Sequence, residues 1–176
     1  MRAFVAIDLP PLEGPTPPGL RPEDHLTLRF FEELPADRVP VVVDALAEAA
    51  GESGPFQLEV CGVGAFPTPQ RPRVVWAGVG SGSTAPLQTL AERLGRALAA
   101  RGFPADRRPF VPHLTLARIR SARDLAWASR FLADPENATR IWTRTIVSEI
   151  LLKEGVLLPT GARHTVLERR ALGRSA

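Results

Sequence analysis

The tetrapeptide His25-Leu26-Thr27-Leu28 returns as His113-Leu114-Thr115-Leu116, half a chain length later in a protein of 176 residues. The chain has only three histidines, and two of them open these matching segments. In a strand, neighbouring side chains point to opposite faces. His25 and Thr27 therefore share one face, and Leu26 and Leu28 the other. The same holds for His113 and Thr115 against Leu114 and Leu116. Each segment thus offers two leucines to a core and an imidazole with a hydroxyl to the opposite side.

Working outward, periodicity gives strands over 2–8, 25–31, 56–63, 73–79, 113–119, 144–153 and 163–168. Helices are expected over 38–50, 84–101 and 121–132. Leu87, Leu90, Ala91, Leu94 and Leu98 form the apolar stripe of the longest, and Gly102 ends it. The halves then read as one unit used twice: strand, helix, motif strand, helix, strand. The first copy lacks a helix. Its place is taken by Pro11–Asp24, where five prolines and two glycines exclude a regular helix. Leu12, Leu20 and the proline rings of this loop are expected to cover the first sheet and leave the protein monomeric.

The length suits one domain of two lobes sharing a core, spanning 1–176. With 44% apolar residues and mixed charge, the chain reads as globular. No apolar run reaches the roughly 18 residues of a membrane span, and the opening Met1–Asp8 is too short before its acid for a signal peptide. The single cysteine, Cys61, excludes an internal disulfide and a cysteine zinc site, so a reducing cytoplasm is the expected location. Net charge is +3, carried by 21 arginines and one lysine. Arginine forks grip phosphate, and arginine-rich codon usage gives the same bias.

If a pseudo-twofold axis relates the units, two imidazoles and two hydroxyls surround one small volume. That set suits a phosphodiester. One imidazole acts as general base on the attacking oxygen and the other as general acid on the leaving oxygen, each contributing roughly 10²- to 10⁴-fold. The threonine hydroxyls hold the non-bridging oxygens and keep phosphorus in line. This chemistry requires no metal and no cofactor. A metal site using His164 as third ligand is a rival, but each motif brings one good ligand and no HExxH spacing exists. No G-x-S-x-G elbow supports a serine hydrolase.

Two His-x-Thr-x strands in a chain of this length resemble the 2H phosphoesterase superfamily, and most closely the bacterial and archaeal RNA 2',3'-cyclic phosphodiesterases, also called 2'-5' RNA ligases. "RAFVAIDLP", "HLTLRF", "GVGAFPTPQRPRVVWAGV", "RGFPADRRPFVPHLTLAR" and "GARHTVL" stand in that family's order. The resemblance implies an α+β fold of two antiparallel sheets facing a central groove, with helices outside. It implies hydrolysis of RNA 2',3'-cyclic phosphate ends to 2'-phosphomonoesters. His25 would donate the proton, His113 would accept one, and Thr27 and Thr115 would hold the phosphate. Arg29 shares strand parity with His25, whereas strict alternation places Arg118 on the face away from His113, yet both are candidate phosphate ligands. Phe66 is a candidate base-stacking residue. A tyrosine common near the family's end is replaced by His164. Ligation of tRNA halves and a non-catalytic RNA-end binding module are the alternatives.

Overall fold

Both motif segments run along the edges of sheets. The computed structural model describes residues 1–173. Strands β1 (Ala3–Asp8) and β2 (His25–Phe31) are followed by a short 3-10 turn and α1 (Val39–Gly51). Then come β3 (Phe56–Thr68), β4 (Arg71–Val79), α2 (Ser81–Ala99) and β5 (Leu114–Arg118). The remaining elements are α3 (Ala122–Ala133), α4 (Pro135–Thr139), β6 (Ile141–Val147), β7 (Glu149–Leu158) and β8 (Gly161–Ala171). Two four-stranded antiparallel sheets result, ordered β2-β1-β7-β8 and β5-β4-β3-β6. The fold is α+β, and the motif strands β2 and β5 are the edges at which the two sheets meet.

The leucine faces do what alternation requires. Leu26, Leu28, Leu114 and Leu116 are buried in one apolar cluster with Val5, Ile7 and the α2 stripe Leu87, Leu90, Leu94 and Leu98. Helix α1 packs on β7, β8 and α2, while α2 also packs on β3. Each fully buried side chain of this kind contributes roughly 1.5–3 kcal/mol. Helix α2 starts three residues before its expected first residue and carries Pro86 inside it.

The lobes are interleaved. The expected single strand 144–153 is two strands, β6 in the second sheet and β7 in the first, joined at Ser148. Apolar residues stand on both sides of Ser148, at Ile146, Val147, Ile150 and Leu151, so the sequence pattern does not mark where the sheet changes. Strands β7 and β8 complete the first sheet from the far end of the sequence, and β3 belongs to the second.

The proline-rich loop also differs from expectation. Its hydrogen bonds run to the second lobe. Its backbone N–H groups at Arg21 and Glu23 donate to Leu116 and Thr115 carbonyls on β5, each at 2.8 Å. Glu13 N–H donates to the Trp142 carbonyl at 2.7 Å. Trp127 Nε1 and Arg140 Nη2 donate to loop carbonyls at Pro18 (2.8 Å) and Pro15 (2.9 Å). The physical reason is that β5 is an edge strand. An edge strand presents backbone groups that need partners, and the loop supplies them. Gly19, at φ +89°, lies where an added Cβ would stand 2.6 Å from the Trp127 ring. Leu20 is buried and Leu12 packs at the margin of the core.

Candidate active site

The two motif strands carry the same irregularity. Val5 pairs with Arg29 and Ala6 with Thr27, which leaves Leu28 as the extra residue of a β-bulge. Val75 pairs with Ala117 and Trp76 with Thr115, so Leu116 is extra in the same way. A bulge re-aims the side chains that follow it. Directly paired residues share a face, so Arg29 is turned to the side of buried Val5 and away from His25. Its side chain is 13% exposed, and its guanidinium donates to the Pro104 carbonyl at 2.6 Å and lies 3.8 Å from Asp106. It ties the 104–106 segment to β2. Arg118 undergoes the opposite change. It pairs with Val74, on the face of Trp76 and Thr115, and so regains the side of His113 that strict alternation denies it.

On the first sheet, His25 is only 5% exposed. Its Nδ1 lies 3.0 Å from Asp24 Oδ1, and its Nε2 lies 3.6 Å from Glu23 Oε2. Phe4, on β1, sits against the ring at 4.8 Å between centroids, and His164, on β8, stands edge-on at 5.0 Å. The hydrogen bond to His25 holds the Asp24 carboxyl below its usual pKa, aided by the Lys153 charge and opposed by desolvation. Burial against Phe4 and His25 lowers the His164 pKa, and the charge of His25 acts in the same direction.

Lys153, the chain's one lysine, is buried on β7 and paired with Asp8, whose backbone partner on β2 is His25. Periodicity missed it. The signal available in the sequence was compositional: a chain that otherwise chooses arginine 21 times keeps one lysine, inside an apolar strand.

On the second sheet, His113 is half-buried and immediately precedes β5. Its Nδ1 faces a backbone carbonyl, that of Val111, at 2.7 Å. Phe66 meets the ring edge-on at 4.9 Å, with Trp76 behind at 6.3 Å. Gly64 makes room for the Trp76 indole, since a Cβ there would lie 2.3 Å from it. Thr115 is buried and Thr27 half-buried. Glu23 links the lobes: one oxygen faces His25, the other accepts from Arg118 Nη2 at 2.9 Å, and its N–H holds the Thr115 carbonyl. His25, Glu23, Arg118 and the backbone of Thr115 are therefore joined in one contact chain. Phe66 belongs to the His113 side.

A sequence model described as the 2'-5' RNA ligase superfamily matches residues 15–141.

The chain belongs to the 2'-5' RNA ligase superfamily.

Relatives within that superfamily include an RNA 2',3'-cyclic phosphodiesterase of Aeropyrum pernix, 36% identical over 81% of this chain and 78% of the relative. Another of the same name, from Archaeoglobus fulgidus, is 31% identical and spans 92% of this chain and 94% of its own. Among solved structures, a Thermus thermophilus protein superposes with a TM-score of 0.74 at 27% identity, covering both chains in full. LigT of E. coli, in a complex with NADP+, gives 0.68 at 28% identity over 98% of each chain. These solved structures bear the two-sheet architecture out. The relatives named as cyclic phosphodiesterases are hydrolases, and the chain is an enzyme of that class. Among the described residues, no helix is long and apolar enough to cross a membrane.

Proposed function

We propose that this enzyme opens 2',3'-cyclic phosphate ends of RNA to 2'-phosphomonoesters, with His25 as proton donor and His113 as proton acceptor and without a metal ion. The observation that carries the assignment of roles is the difference between the partners of the two imidazoles. His25 has a carboxylate at each ring nitrogen, surroundings that suit an imidazolium about to give up a proton. His113 has a neutral carbonyl at Nδ1. A proton on Nδ1 donates to that carbonyl and leaves the Nε2 lone pair for a water molecule.

Water attacks phosphorus, and its proton passes to His113. The bond from phosphorus to the 3'-oxygen breaks, and His25 protonates that oxygen. The phosphate stays on the 2'-oxygen. Thr27 and Thr115 hold the non-bridging oxygens in line with the attack. Arg118, on the His113 face, lends positive charge to the phosphate, and Phe66 offers an aromatic surface to the adjacent base. Arg29 acts at one remove, by fixing the 104–106 segment that leads to His113.

The test offers purified protein an RNA bearing a 2',3'-cyclic phosphate, with EDTA present, and identifies the product by phosphorus NMR. A 2'-phosphomonoester is expected. A 3'-phosphate product would reverse the donor and acceptor, and activity returning only with an added divalent ion would defeat the metal-free mechanism.

A further inference from the structure

Asp24, His25 and His164 each offer one ligand atom, and these three atoms lie within 4.8 Å of one another. Two imidazoles and one carboxylate form a donor set suited to zinc, copper or nickel, and a poor one for magnesium or calcium, which prefer oxygen ligands. We propose that this trio captures a transition-metal ion of the Zn²⁺ kind and that capture switches the enzyme off by occupying His25.

Three features support the site. The first is rigidity. His25 and His164 lie on strands of one sheet, and Phe4 rests against both rings, at 4.8 and 4.9 Å. The second is a carboxylate already set against an imidazole, because Asp24 Oδ1 stands 3.0 Å from His25 Nδ1. The third is access: Asp24 and His164 are exposed, so an ion enters from solvent. Ligands around Zn²⁺ at bond lengths of about 2.0–2.2 Å stand roughly 3.4 Å apart. Closing from 4.8 Å asks for side-chain rotation of about an ångström. The Lys153 ammonium faces the same cluster and opposes a cation, but Asp8 is paired with it. Asp24 and Glu23 add two negative charges beside the rings.

Binding at the trio does not depend on the proposed reaction; the inhibitory half does, because it needs His25 to be the proton donor. The two are therefore tested separately on the full chain after chelator treatment. Zn²⁺ is titrated by calorimetry, and Co²⁺ is followed by its visible absorption, with millimolar Mg²⁺ and Ca²⁺ as competitors. One ion per chain with micromolar or tighter affinity is expected, indifferent to both competitors. His164→Phe keeps an aromatic ring at that place and should weaken binding by about tenfold or more, as should Asp24→Asn. Cys61→Ser should leave it unchanged. No binding up to millimolar Zn²⁺, or binding that ignores both His164→Phe and Asp24→Asn, overturns the site.

In the activity arm, Zn²⁺ should abolish hydrolysis of the cyclic phosphate at the concentration at which it binds. EDTA should restore the rate, and His164→Phe should remain active but resist the metal. Zn²⁺ bound at the trio with turnover unchanged overturns the inhibition. A chain that binds Zn²⁺ through His164 yet never opens a cyclic phosphate upholds the site and refutes the proposed reaction instead.

Discussion

His25 and His113 stand in the same tetrapeptide, beside the same bulge, at the edges of matching sheets, and their surroundings have little in common. His25 is buried among Asp24, Glu23, Phe4 and His164. His113 is half-buried, holds one backbone carbonyl and leans on Phe66. The contrast teaches that repetition sets geometry and context sets chemistry. Two identical imidazoles in identical surroundings would hold their protons alike. Acid–base catalysis needs one with a proton and one without.

The largest test of that division is to remove each ring. His25→Ala and His113→Ala should each lower turnover by at least about 10²-fold, with circular dichroism unchanged. Near-normal steady-state turnover in either variant breaks the pairing. In the parent enzyme, kcat/KM should fall on both sides of an optimum pH, since the protonated and the neutral ring are both needed.

Next comes the loop that stands in the first half where the second half has α2. Leu20 is buried in the apolar core, so Leu20→Ala should cost about 2 kcal/mol or more and several degrees in melting temperature. Leu12→Ala, at the core's margin, should cost less. Equal and negligible shifts in calorimetry would mean that the loop is not part of the core's packing.

A smaller effect belongs to the carboxylate at His25 alone. Asp24→Asn keeps the shape and removes the charge, and should lower kcat by about tenfold with KM little changed. An unchanged kcat would leave the two histidines without their electrostatic distinction.

The smallest effect is one of pH. The folded-state pKa of Asp24 is lowered, chiefly by its hydrogen bond to His25. Its stabilising contribution is therefore complete above the unfolded value of 3.8 and fades as pH falls through the lowered value. The melting-temperature gap between the parent and His25→Ala should thus narrow from about pH 5 to about pH 3. A gap that widens would sever the link between the two side chains.

Much of this was legible in the residues themselves. The leucine pairs of both motifs lie in the core, and the leucine stripe of α2 forms the expected helix. The duplicated order of strand and motif is present in both sheets. What periodicity could not show were events that leave no mark in the sequence pattern. The bulges at Leu28 and Leu116 exchange the faces of Arg29 and Arg118. The crossing at Ser148 passes one apolar pattern from sheet to sheet. The destination of the proline-rich loop was hidden because it follows from an unpaired edge on β5, a property of the assembled sheet. Lys153 and His164 reach His25 only through strands drawn from the opposite end of the chain.

That last arrangement bears on how the protein comes into being. Lys153 and Asp8 meet across a sequence separation of 145 residues, and pairing of β1 with β7 closes nearly the whole chain into a loop. Contacts of such high contact order form late and slowly. On a ribosome, β1 and β2 emerge first but wait for their sheet until β7 and β8 follow, whereas β3 to β6 can assemble as they appear. The half that carries His113 therefore matures before the half that carries His25. Cutting the gene at its midpoint would not yield two ancestral modules: the first product would hold β1 and β2 without β7 and β8, and the second would hold β5 and β6 without their partners β4 and β3.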